Sequence, residues 1–135
     1  MTQETRQWTV AAIPDALIGP EHFELKTTEL PAPAEGEVLV KSLYLSFDPT
    51  QRGWFNDGPG YADPLQIGTP MFGNGLGQVI ESNNPDFAPG DIVNGTLPWQ
   101  DYAILRREGM TPLSKVSPDF PLTWNMTLFG LTTLT

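Results

Sequence analysis

Apolar and polar positions alternate with a period of two along much of the chain, the pattern of strands that bury one face. Residues 37–45 carry the clearest run: Val38, Val40 and Ser42 point one way, and Leu39, Lys41 and Leu43 the other. Residues 23–30 set Phe23, Leu25 and Thr27 against Glu24, Lys26 and Thr28. Shorter strand-like runs follow at 8–12, 78–82, 92–95 and 99–105, separated by turns such as Pro31-Ala32-Pro33-Ala34-Glu35-Gly36 and Pro89-Gly90-Asp91. The stretch 51–70 breaks the alternation with Gly53, Gly58, Pro59, Gly60, Pro64, Gly68 and Pro70. Structureless stretches of about twenty residues are uncommon in compact domains and often functional. Only 121–131, with Leu122, Trp124, Met126, Leu128 and Phe129, reads as a helix. The pattern predicts a mainly β fold, an antiparallel β-barrel with a helical segment at its C-terminal end.

Composition narrows the picture. Thirteen glycines and fourteen prolines make up a fifth of the 135 residues, which leaves little room for long helices. A net charge of −9 argues against nucleic acid or an anionic membrane as partner. No apolar stretch is long enough to span a bilayer, and the N-terminal residues do not form a secretory signal. The chain has no cysteine, hence no thiol nucleophile, and a cytoplasmic location is expected.

Candidate chemistry is sparse. Gly73-x-Gly75-x-Gly77 precedes a β-branched run rather than a helix, so it reads as a bulge or close backbone crossing, not a phosphate loop. His22 is the single histidine, which argues against a metal centre and a histidine-based triad. Asp48 and Arg52 stand four apart after the 37–45 strand and are expected to pair and fix the loop if the chain turns helically there. Asp57 and Asp63 bracket Tyr61, whose hydroxyl is available to donate a hydrogen bond or a proton; the alternative is a packed loop anchor. Trp54 and Phe55 either wall an apolar pocket or tuck the loop onto the barrel.

Several segments share a pattern in register: Arg6-Gln7-Trp8, Pro20-Glu21-His22-Phe23-Glu24-Leu25, Gly36-Glu37-Val38-Leu39-Val40-Lys41, Leu43-Tyr44-Leu45-Ser46-Phe47-Asp48-Pro49 with Arg52-Gly53, Gly90-Asp91-Ile92-Val93, and Trp99-Gln100-Asp101-Tyr102-Ala103. On these residues the chain resembles the zinc-independent medium-chain dehydrogenase/reductases, in the branch of prostaglandin reductases and alkenal double-bond reductases. The resemblance implies a GroES-like distorted barrel over 1–120. It implies that 121–135 begins the hinge into a Rossmann-type domain, not contained in these residues, that binds NADPH. At Thr50-Gln51 the family commonly carries Tyr-Met, and Leu131-Thr132-Thr133 stands where it has Met-Pro-Gly.

The reaction implied is reduction of the carbon–carbon double bond of an enal or enone, without zinc. Tyr61 would then act at the substrate carbonyl, with Trp54, Phe55, Asp48 and Arg52 on the substrate side and Thr135 at the cofactor hinge. The isolated chain is expected to be inactive and to self-associate, as a homodimer, through its apolar C-terminal residues. A stand-alone small-ligand-binding or interaction module of the same fold is the alternative.

Overall fold

The computed structural model describes residues 2–55, 64–108 and 112–126. Among these residues, seven strands form two antiparallel sheets. β1 (Gln3–Val10) pairs with β2 (Phe23–Leu30) along its whole length, from Gln3 opposite Leu30 to Val10 opposite Phe23. The second sheet runs β6–β3–β4–β5–β7, built from β3 (Glu37–Leu45), β4 (Phe72–Ser82), β5 (Ile92–Pro98), β6 (Tyr102–Arg106) and β7 (Ser114–Lys115). The mainly β class holds, but the barrel is open. β1 meets the β6 end of the large sheet through one bridge, Gln7 to Gln100, and through Thr5, whose buried hydroxyl accepts from Tyr102 N at 2.9 Å and donates to Tyr102 O at 3.0 Å. A row of main-chain bonds ties β1 to the residues around Met71 and Trp99: Trp8 N donates to Trp99 O (2.8 Å), and Met71 N to Trp8 O (2.9 Å).

Several expected boundaries move. β1 begins five residues before the 8–12 run, because its polar first half pairs with β2 and only Thr5 of that half is buried. The strand expected at 78–82 starts at Phe72, so Gly73, Gly75 and Gly77 lie inside it. They mark a close crossing: a Cβ on Gly75 would lie 2.6 Å from Tyr44 O, and one on Gly77 would collide with Val40 Cγ1. Strand 99–105 starts at Tyr102 because Trp99, Gln100 and Asp101 turn the corner from β5. Within 51–70 a short helix, α1 (Thr50–Gly53), appears. Of the helix expected over 121–131, the described part is a 3₁₀ turn, Leu122–Asn125; the remainder lies outside the described residues. No described helix is long and apolar enough to cross a membrane.

The alternation read from 37–45 slips within β3. Ser42 stands opposite Gly77 and Tyr44 opposite Leu76, so Leu43 is an extra residue, a β-bulge. Past it the phase inverts: Leu45 packs against the core beside Val38 and Val40, while Leu43 and Tyr44 are exposed. The core has two parts. Val38, Val40, Val79, Phe87, Val93, Leu97 and Leu113 fill the large sheet's inner face; Val10, Phe55, Leu65 and Met71 form a second cluster near the β1–β2 hairpin.

Candidate functional site

β3 ends at Leu45, and the next residues build a compact turn. Asp48 Oδ1 accepts from Thr50 N (2.8 Å) and Thr50 Oγ1 (2.6 Å), which launches α1. Those two bonds, the hydroxyl's first, hold the Asp48 carboxyl below the ordinary carboxylate range. Gln51 turns inward and is only 6% exposed. Its Oε1 accepts from Asp48 N at 3.1 Å, and its Nε2 donates to Ser46 O at 3.0 Å and to Phe72 O at 3.4 Å. Arg52 reaches across to the 11–19 connection, where Nη2 donates to Pro14 O and Ala16 O, both at 2.9 Å. The expected Asp48–Arg52 ion pair does not form: helical spacing is present, but Asp48 Oδ1 is engaged by Thr50 N and Oγ1, and the Arg52 guanidinium by the Pro14 and Ala16 carbonyls.

Trp54 and Phe55 follow directly. The Trp54 indole stacks on Phe72, centroids 4.8 Å apart and 13° from parallel, and Phe55 sits in the core at 3% exposure. Leu65 N donates to Trp54 O at 2.8 Å, joining the described chain on either side of residues 56–63. Tyr61, Asp57, Asp63 and Thr135 lie outside the described residues.

Two clefts flank an aromatic partition. Trp99 stacks on Phe23 (5.6 Å, 28°) and takes the edge of Phe47 (5.2 Å, 75°). On one side, a cleft of about 380 Å³ is lined by Ile18, Asp48, Pro49, Gln51, Arg52 and Met71 together with the three partition rings. On the other, a groove of about 760 Å³ runs past Trp8, Leu25, Ser42, Leu43 and Tyr44 to Arg6 and Asp101. Those two charges satisfy each other: Arg6 Nε donates to Asp101 Oδ2 at 2.8 Å and Nη2 to Oδ1 at 3.2 Å, a bidentate pair. The smaller cleft is the candidate site, since it gathers Asp48 and Arg52; Trp54 and Phe55 stand behind its wall and line neither space.

Sequence reasoning missed Gln51, Phe23, Phe47 and Trp99. Gln51 stands out in the sequence only as a departure from the family's Tyr-Met, and nothing local marks that polar residue as turned inward. The three rings come from segments 24 to 76 residues distant in sequence, so no local pattern unites them. Among the described residues no three His, Asp or Glu side chains converge. Nor do they offer a dinucleotide cradle: the glycines that could form one are pressed against β3 backbone and Gln51, with no helix N-terminus behind them.

Residues 6–113 match the family model described as the N-terminal domain of oxidoreductase. The chain is 38% identical over 129 residues to the NADPH-dependent curcumin reductase of Escherichia coli, covering 96% of this chain and 37% of that protein. It is 35% identical over 133 residues to mouse prostaglandin reductase 1, covering 98% of this chain and 38% of that protein. Among solved structures it superposes on CurA from Vibrio vulnificus with a TM-score of 0.83 at 33% identity, covering 96% of this chain and 38% of CurA. CurA has also been solved in complex with NADPH, and that form matches with a TM-score of 0.80. The chain thus spans somewhat over a third of the length of these relatives, at their N-terminal domain, and it belongs to the family of oxidoreductase N-terminal domains.

Proposed function

We propose that the chain is the substrate-side N-terminal domain of an NADPH-dependent oxidoreductase that reduces the carbon–carbon double bond of α,β-unsaturated aldehydes or ketones. One observation carries the reading: an apolar cleft walled by Phe23, Phe47, Met71 and Trp99 opens beside the 48–52 turn, in a chain similar to a curcumin reductase along 96% of its length. Such a cleft binds a flat, apolar, conjugated molecule and excludes water from it. NADPH, when bound, supplies the hydride for the β-carbon; since the described residues hold no dinucleotide cradle, its binding is assigned to a Rossmann-type domain elsewhere in the whole protein, met at a hinge within 121–135 that includes Thr135.

This chain's own part is to bind, orient and polarise. Negative charge develops on the substrate's carbonyl oxygen during reduction, and a donor fixed there lowers the barrier. Tyr61 is assigned that role. Asp48 and Arg52 shape the rim, and Trp54 and Phe55 anchor the loop that carries Tyr61. A cytoplasmic location and a homodimer complete the reading; Phe120 and Trp124, partly exposed and stacked at 5.7 Å, motivate the self-association.

The test is product analysis. The whole protein, expressed from its full reading frame, is expected to consume NADPH with benzylideneacetone and yield the saturated ketone, whereas the 135-residue chain does neither. An allylic alcohol, or no product from the whole protein, would sink the proposal.

A further inference from the structure

We propose that Gln51 is the positioning residue of the smaller cleft and that Gly73 is the vacancy that admits it. The inference rests on the reading of that cleft as the substrate site, and it concerns what holds the cleft's walls together. Beside the rings of Phe23, Phe47 and Trp99, three chain segments border those walls: the connection through Ile18, the turn at 48–52, and Met71 at the entrance to β4. Gln51 fastens the second to the third. Its amide donates to Ser46 O and Phe72 O and accepts from Asp48 N, which uses three of the four hydrogen bonds a glutamine amide can make. Arg52, the next residue, fastens the first segment to the second through Pro14 O and Ala16 O.

Space for this arrangement exists because residue 73 has no side chain. A Cβ there would collide with Gln51 Nε2 and lie 3.1 Å from Ser46 O. Gly73 has no positive φ, so backbone freedom is not why glycine stands at this position. Volume is the reason. The glutamine and the glycine are therefore one device: the amide fills the gap above β4, and the gap lets the amide reach two carbonyls of different segments. Buried amides with all partners in place fix geometry sharply, whereas an apolar residue of similar length leaves carbonyls unsatisfied and the turn free to shift.

Two readouts test this in the 135-residue chain. The first is hydrogen exchange at the Asp48 amide, which reports the bond to Gln51 Oε1 without any ligand. Gln51→Met and Gly73→Ala are each expected to speed that exchange by roughly tenfold, leaving the β3–β6 amides Val38 and Leu105 protected as before. The second is affinity for benzylideneacetone, read by saturation-transfer NMR, expected to fall roughly fivefold in each variant. In the Gln51→Met background, Gly73→Ala should add little further loss, because the amide it displaces is already gone. Unchanged Asp48 exchange in both single variants overturns the proposal, as does faster exchange with full affinity, or full additivity in the double variant. If the wild-type chain does not bind the probe, the substrate-site reading fails, and the exchange measurements still decide whether Gln51 and Gly73 act as one unit.

Discussion

The indole of Trp99 stacks on the ring of Phe23, centroids 5.6 Å apart and planes 28° from parallel. With Phe47 in a T-shaped contact with the same indole, the three rings border both the cleft and the larger groove. Trp99 also carries the main-chain bonds that hold β1 to the corner after β5: its carbonyl accepts from Trp8 N, and its own N–H donates to Met71 O at 2.6 Å. Trp99→Ala keeps those main-chain bonds and removes the indole from the partition and from its packing against the Val10, Phe55, Leu65 and Met71 cluster. We expect a loss of about 3 kcal/mol in urea unfolding, at the lower end for large aromatics because the indole is half-buried. Phe47, 78% exposed, should cost under about 0.5 kcal/mol when replaced by alanine, yet weaken benzylideneacetone binding.

The glycines separate into two kinds. Gly77→Ala drives a methyl group into Val40 and to 2.9 Å from Lys41 O, where backbone cannot yield, and should cost about 2 kcal/mol or more. Gly53, in α1, has open space where a methyl group would sit, with nothing within 4 Å, and no positive φ. Gly53→Ala is expected to stabilise by about 0.5 kcal/mol through helix propensity. Thermal midpoints moving in opposite directions would establish the contrast; two losses of equal size would refute it.

The bidentate Arg6–Asp101 pair gives a pH dependence. Hydrogen bonding from Arg6 holds the Asp101 carboxyl below the ordinary Asp value of 3.8. The folded chain therefore binds that proton less readily than the unfolded one, so the contribution is present at neutral pH and fades as acid protonates the folded carboxyl. Both side chains are well exposed, 64% and 40%, so solvent screening keeps the pair's contribution to stability small. The stability gap between wild type and Asp101→Asn should be flat above about pH 5 and close as pH falls below 3.8. A gap that widens in acid would contradict this assignment.

Arg52 grips two carbonyls of the 11–19 connection with a planar fork that lysine cannot reproduce. Arg52→Lys is expected to lose about 1 kcal/mol and to speed proteolytic cleavage between Pro14 and Gly19, while the β1–β2 hairpin stays protected. Cleavage at the wild-type rate would show that the connection is held by other contacts.

How much of this was legible in the sequence depends on distance along the chain. β2 and β3 were readable to the residue, because each alternates and is bounded by proline or glycine. The first half of β1 was not, since Gln3, Glu4, Arg6 and Gln7 carry no apolar period and are held by the partner strand. The Leu43 bulge was hidden as well: alternation continues through Val38, Val40 and Ser42, and only the pairing of Ser42 with Gly77 and Tyr44 with Leu76 reveals where the register slips. At the site, the family pattern located the 48–52 turn, but an Asp–Arg pair at helical spacing was a misleading cue. The decisive polar residue was Gln51, whose partners Ser46 and Phe72 are brought together only by the fold.

The crowding along Gly73, Gly75 and Gly77 also limits how the site can diversify. None of the three lines the cleft itself; they press against Gln51 and the β3 backbone that support it, so substitution there acts through the fold and not through new ligand contacts. Variation that alters ligand choice has to enter through the rim, at Ile18, Phe47 and Pro49, which border the cleft without carrying the Gln51 amide's bonds. A directed library that randomises those three positions and leaves the glycines untouched would sample new pockets on an unchanged foundation.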